Sequence, residues 1–306
     1  MPIEVSVSAT AANLGPGFDC IGLALEGFEL QGRLTVGTAA TGIRVSGLDT
    51  ASISRDSDNL VGSAMAAVFS RAGRDPGHYQ LEIFNQIPVA RGLGSSAAAI
   101  VAGLLLAAGW LRTQGLICPD DDLINIGAEL EGHSDNVVAA LVGGVTVAAR
   151  CEDTVRWQSL PVANLPPVLV AVPAAPQATA AARNLLPAFV LHQDAVFNIS
   201  RSGLLLTALI NGDYRILREA MTDRLHEPYR LPLYPWLTDL RAAALEAGAY
   251  GVCLSGAGPA TLAFVPEPGI VPVAEAMAGI YERAGLAVQV HTTRVAGSAS
   301  TRPVPA

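Results

Sequence analysis

Residues 88–97 read Pro88-Val89-Ala90-Arg91-Gly92-Leu93-Gly94-Ser95-Ser96-Ala97, a proline and two glycines followed by paired serines that run into an apolar, alanine-rich stretch. Gly92 and Gly94 permit a tight turn and a close backbone approach to a ligand. Ser95 and Ser96 fall where a helix begins, with unpaired backbone N–H groups and the positive end of the helix dipole facing whatever lies above them. The pattern fits a polyphosphate cradle. It also describes an N-capped core helix behind a tight turn, and nothing inside the stretch separates the two readings.

The company it keeps favours the cradle. Residues 9–22, the loop Gly132-His133-Ser134-Asp135-Asn136 and the loop Ser255-Gly256-Ala257-Gly258-Pro259 each set polar groups among small or apolar neighbours. The last is flanked by strand-like Val252-Cys253-Leu254 and Thr261-Leu262-Ala263-Phe264. Four such segments in one chain suggest a shared cleft.

Composition narrows the function classes. With 306 residues, 51% hydrophobic and 15% charged, the chain is long enough for two domains with a large core and reads as a globular enzyme. A net charge of −8 argues against nucleic acid or an anionic membrane as partner. All 19 basic residues are arginine. The absence of lysine excludes a Walker-type P-loop, a protein-kinase nucleotide lysine, a pyridoxal-phosphate Schiff base and a Ser-x-x-Lys acylase. No Gly-x-Ser-x-Gly elbow supports a serine hydrolase. Cys20, Cys118, Cys151 and Cys253 are scattered without a C-x-x-C pair, so structural zinc is not expected. The first residues lack a basic n-region and an apolar h-region, and the expectation is a cytoplasmic protein with reduced thiols. Gly92 to Leu111 is an uncharged run of 20 residues, about a membrane span in length, but its glycines, serines and alanines read better as a buried helix.

Periodicity gives alternating strands and helices. Strands are expected at 3–9, 34–36, 43–45, 80–87, 145–149 and 168–172, and helices at 60–72, 96–112, 120–131, 194–210, 214–224 and 235–247. A proline-punctuated stretch from Pro161 to Pro176 places a domain boundary near residue 155, giving domains 1–155 and 156–300, and the tail after Gly297 is expected to fray.

Residues 88–97 match P-x-x-x-G-L-G-S-S-A, the central signature of the GHMP kinases, and the four segments together resemble that family. Ser8-Ala9-Thr10-Ala11-Ala12-Asn13-Leu14-Gly15-Pro16-Gly17-Phe18-Asp19, Glu131-Gly132-His133-Ser134-Asp135-Asn136 and Glu227-Pro228-Tyr229-Arg230 look most like its homoserine kinase branch. The resemblance spans residues 5 to about 265. It implies an α+β chain of two domains, an N-terminal ribosomal-S5-domain-2-like α/β domain that binds ATP and a C-terminal ferredoxin-like α+β domain. The implied partners are ATP, Mg²⁺ and L-homoserine, with neither nucleic acid nor membrane, and a homodimer is left open.

The resemblance sorts residues into three jobs, since phosphoryl transfer rests mainly on positioning and charge neutralisation. For ATP and Mg²⁺ it implies Pro88, Arg91, Gly92, Leu93, Gly94, Ser95, Ser96 and Ala97 around the phosphates, and Asn59 of Asp58-Asn59-Leu60-Val61 near the nucleoside. Asn59 reads equally well as a helix N-cap. Ser96 would supply a hydroxyl to the metal and Glu129 or Glu131 its carboxylate, with Glu129 preferred. For the acceptor zwitterion it implies Asn13 and Asp19 at the ammonium, and Arg183 and Arg230 at the carboxylate as a bidentate fork. For the hydroxyl it implies Asn136 as the orienting group, with His133 and Asp135 as further catalytic candidates that could equally be hydrogen-bonded structure. Ser134 and Ala257 depart from the pattern, standing where such kinases usually carry proline and serine.

Overall fold

The first strand, β1 (Ile3–Asn13), alternates as its sequence suggests, burying Ile3, Val5 and Val7 on one face. In the computed structural model, which describes residues 2–162 and 164–303, it pairs antiparallel with a 20-residue strand, β2 (Gly17–Val36). Register shifts after Ser8 and Ala12 bend the pair where it approaches the cleft. One half of β2 continues to β4 (Tyr79–Asn85), which pairs in parallel with β3 (Gly42–Gly47). The other half of β2 carries β5 (Val145–Cys151) and, beyond it, β6 (Thr154–Ser159).

Four helices cover this sheet: α1 (Leu60–Arg71), α2 (Ser95–Thr113), α3 (Asp120–Glu131) and α4 (Asp135–Val142). Length and composition alone would let α2 cross a membrane, yet most of it lies inside the fold against β1, β2, α1, α3 and α4. Its buried residues, among them Ala98, Ile100, Val101, Leu104 and Leu111, surround the helix rather than line one stripe, as befits a central core helix.

The second unit contains β7 (Val168–Pro173), β8 (Gly251–Leu254), β9 (Thr261–Phe264) and β10 (Val288–Thr293) in the antiparallel order β10-β7-β9-β8. Helices lie between β7 and β8 and between β9 and β10, which gives the ferredoxin-like βαββαβ arrangement. Helices Leu237–Glu246 and Ile270–Arg283 supply Leu240, Met277 and Tyr281 to a separate core with Leu169, Val252 and Ala263.

Several expectations need correction. β6 pairs with β5, so the first unit runs past residue 155 to about Ser159. The tail does not fray directly after Gly297: β11 (Ser300–Pro303) returns to pair with β1, because β1 would otherwise leave an open edge. The helix expected at 214–224 is a 3₁₀ turn and one short turn, Leu217–Ala220. Gly132–Asn136 is not wholly a loop, since α4 starts at Asp135.

Candidate active site

The hairpin between β8 and β9 docks onto the glycine stretch that precedes α2. Ser255 Oγ donates to the Gly92 carbonyl (2.6 Å), the Gly256 N–H to the Ala12 carbonyl (3.1 Å) and the Ala260 N–H to the Arg91 carbonyl (3.1 Å). A Cβ on Gly92 would stand 2.2 Å from the Ser255 carbonyl oxygen, so only glycine permits this approach. Beside the seam lies a cleft of about 420 Å³.

Gly92, Leu93, Gly94, Ser95 and Ser96 line it, with Gly94 in the left-handed region (φ 64°) as the residue before α2. Asn59, Leu60, Val61, Ile53, Ile83 and Val89 also line it. Asn59 does both things read for it: its Oδ1 accepts from the Gly62 N–H (3.1 Å) as the cap of α1, and the residue faces the cleft. The remaining wall holds Asn13, Phe18, Asp19, Glu131, His133, Asp135, Asn136, Arg183, Arg230, Gly256 and Ala257. All four segments singled out in the sequence therefore meet.

Four expected contacts are not in this wall. The Arg91 guanidinium is tied instead to Asp49 (3.3 Å) and to the Val89 and Ala174 carbonyls, clasping the glycine stretch to the second unit. Ala97 is fully buried in the core, and Pro88 does not line the cleft. Glu129 reaches Arg71 (3.4 Å) on an exposed face. Two residues apart on one helix, Glu129 and Glu131 point in nearly opposite directions, and it is Glu131 that faces inward.

The Ser96 hydroxyl donates to Glu131 Oε2 (2.6 Å). Burial raises the Glu131 carboxyl above the ordinary glutamate value, with the Ser96 hydrogen bond and His133 opposing the shift. His133 Nδ1 meets Asp135 Oδ1 (2.7 Å), and its Nε2 lies 3.9 Å from Glu131. Burial works to lower His133, but the Asp135 bond and charge, with Glu131, outweigh it and the imidazole is raised. Asp135 Oδ1 also accepts the Asn136 backbone N–H (2.7 Å), and Thr10 Oγ1 donates to Asn136 Oδ1 (2.7 Å). Thr10 was not foreseen; its backbone N–H also donates to the Leu93 carbonyl, joining β1 to the glycine stretch.

Asp19 and Arg183 form a two-pronged pair at 2.8 and 2.9 Å. Asp19 has a positive φ of 56°, and its N–H donates to Asn13 Oδ1 (3.0 Å). Arg230 is 1% exposed, and burial draws it down from the ordinary arginine value. Its hydrogen bonds leave from Nη1, to His226 and to the Gly256 carbonyl, while buried Nε has no partner among the described residues. Phe18 packs between the two arginines, 5.6 Å from each guanidinium carbon.

Comparison with known proteins places the fold in a family. Residues 59–144 match the family model for the GHMP kinases N terminal domain and residues 205–282 that for the GHMP kinases C terminal region. The chain belongs to the GHMP kinase family, whose members transfer phosphate from ATP to small molecules. Among its relatives are homoserine kinases. That of Moorella thermoacetica is 44% identical over 94% of each chain, and that of Synechococcus sp. is 41% identical over 97% of each. The crystal structure of a homoserine kinase from Cytophaga hutchinsonii superposes with a TM-score of 0.88 at 27% identity, over 98% of this chain and 97% of that one.

Proposed function

We propose that this chain phosphorylates the side-chain hydroxyl of L-homoserine with ATP and Mg²⁺, giving O-phospho-L-homoserine on a route to threonine in the cytoplasm. The observation that carries the acceptor assignment is Arg230, a buried cation on the cleft wall with an unpartnered Nε. Such a group is costly unless an anion joins it. Asp19 and Arg183, already a matched cation and anion, fit the other requirements of a zwitterion. Homoserine would exchange that pair for two of its own, its ammonium taking Asp19 and its carboxylate taking Arg183 with Arg230.

The glycine stretch suits a polyphosphate. It offers the amides before α2, the dipole of a 19-residue helix and two serine hydroxyls. No group of three or more His, Cys, Asp or Glu side chains is gathered for a resident metal among the described residues. A Mg²⁺ arriving on nucleotide phosphates needs only one or two carboxylates, and the Ser96–Glu131 pair, all oxygen donors, fits it. When bound, the ion would neutralise phosphate charge. Glu131 is proposed in place of Glu129 for that role.

Asn136 is held by Thr10 and Asp135, which suits it to orient the acceptor hydroxyl through its amide. His133 and Asp135 are proposed as the groups that hold Asn136 and its loop, since Asp135 Oδ1 serves both neighbours. The reaction then relies on alignment and charge rather than a strong base.

The test is ATP turnover with Mg²⁺ against L-homoserine, L-serine, L-threonine, mevalonate, galactose and shikimate. Preference for homoserine by at least about 100-fold in kcat/KM supports the reading. Preference for another acceptor overturns the assignment of Asp19, Arg183 and Arg230.

A further inference from the structure

His226 is fully buried, lies outside the cleft wall and has no part in the chemistry above. It sits at the mouth of the single helical turn Glu227–Arg230, four residues before Arg230. Asp223 fixes its backbone: Asp223 Oδ2 accepts the N–H groups of His226 (2.8 Å) and Glu227 (2.7 Å). Both ring nitrogens are engaged. Nδ1 meets Arg230 Nη1 at 2.8 Å and Nε2 meets the Gly15 carbonyl at 2.7 Å.

A guanidinium only donates and a carbonyl only accepts, so these partners dictate the tautomer. Nδ1 carries the lone pair and Nε2 the proton. The ring therefore joins the arginine expected at the acceptor carboxylate to the loop that carries Asn13 and Asp19. A second link runs in parallel, for the Gly256 carbonyl accepts from both Arg230 Nη1 (3.0 Å) and Asn13 Nδ2 (2.9 Å). Phe18 stacks on the His226 ring at 5.1 Å and completes the wall.

We propose that His226 is a positioning residue that sets the Arg230 guanidinium relative to Asp19, and so the spacing between the anion-binding and cation-binding halves of the acceptor pocket. With Nη1 held by His226 and Gly256 and Nε sealed from solvent, Nη2 is the guanidinium nitrogen left to meet a carboxylate. The inference rests on the acceptor reading given above.

The experiment compares kcat/KM for L-homoserine with that for 3-aminopropan-1-ol, the same molecule without its carboxylate. The ratio measures how well the enzyme uses that carboxylate. Three variants are read against the wild type. Arg230→Gln tests the acceptor reading and should collapse the ratio. His226→Phe keeps a ring to stack on Phe18 but removes both nitrogens; it should lower the ratio at least about tenfold, through KM for homoserine with KM for ATP unchanged. His226→Asn loses the ring but offers a carbonyl near the Nδ1 position; it should hold the ratio within about threefold of wild type.

If His226 served only to pack, the order would reverse, Phe behaving as wild type and Asn failing. That order, or a wild-type ratio in His226→Phe when Arg230→Gln has lost it, overturns the proposal. A wild-type ratio in Arg230→Gln overturns the acceptor reading instead. Nitrogen-15 NMR of the wild type gives a check independent of variant folding: an unprotonated Nδ1 and protonated Nε2 are expected, and a protonated Nδ1 refutes the link.

Discussion

Gly94→Ala tests whether the glycine stretch and the Asn136 loop form one device. Gly94 has φ 64°, and a Cβ there would lie 1.9 Å from Thr10 Oγ1 and 3.1 Å from Asn136 Oδ1. Ordinary contact begins at 3.4 Å, so the Thr10 hydroxyl must retreat by about 1.5 Å. That movement breaks its hydrogen bond to Asn136, a loss of about 1 kcal/mol. The left-handed backbone adds about 1–2 kcal/mol for any residue with a Cβ. Gly37→Ala isolates that second contribution, because Gly37 has φ 81° with open space around it. Urea unfolding should show a loss of about 2–3 kcal/mol for Gly94→Ala and about 1–2 kcal/mol for Gly37→Ala. In turnover assays, a displacement of this size at an orienting group should lower kcat by about 100-fold in Gly94→Ala, with Gly37→Ala unchanged. Equal stability losses in the two variants, together with full kcat in Gly94→Ala, would refute the coupling.

Glu131→Gln should raise the Mg²⁺ concentration needed for half-maximal turnover by at least about tenfold while Glu129→Gln leaves it within about twofold; the opposite order restores Glu129. Arg91→Ala should cost about 1 kcal/mol in urea unfolding through loss of its partly buried tie to Asp49, yet leave KM for ATP nearly unchanged; a large rise in that KM would put Arg91 back at the phosphates. His133 is raised above 6.5, so its protonated form contributes stability that is fully present below 6.5 and is lost as pH rises through the folded value. The stability gap between wild type and His133→Gln should accordingly shrink as pH rises above 6.5, and a gap that widens contradicts the sign.

Much of the site was readable because its residues carry distinctive local chemistry. Gly92, Gly94 and the serines form a contiguous run whose turn and helix start are dictated by neighbours in sequence. Asn13, Asp19, Arg183 and Arg230 were legible only through motif resemblance, since nothing in their own spacing places them in one cleft. What escaped depends on three-dimensional closure. β11 returns to β1 across almost the whole length of the chain, and no local pattern announces a partner that distant. The helix Ile270–Arg283 was overlooked although Val273, Met277 and Ile280 recur on one face; Pro272 falls in its first turn, where proline is tolerated. Arg91 was misplaced because sequence fixes its backbone beside the glycine stretch but not the direction of a long side chain. His226 had one faint signal, its four-residue spacing from Arg230, and its role depends on a carbonyl 211 positions away.

The distribution of charge along the cleft bears on how a lysine-free protein binds a polyanion. Its lining holds Asp19, Asp58, Glu131 and Asp135 against Arg183 and Arg230. Arg183 is already neutralised by Asp19, and Arg230 lies on the wall assigned to the acceptor. No cationic side chain belongs to the run Gly92–Ser96. Amides and a helix dipole supply roughly half a positive charge, far short of a triphosphate. The proposed Mg²⁺ would therefore have to make up most of the difference. Calorimetric titration of ATP in EDTA should show at least about a tenfold loss of affinity relative to Mg²⁺, about 1.4 kcal/mol, whereas adenosine should bind equally in both. Equal ATP affinity with and without the ion would mean that hydrogen bonds to the glycine stretch hold the phosphates by themselves, and the charge reasoning for Ser96 and Glu131 would fail.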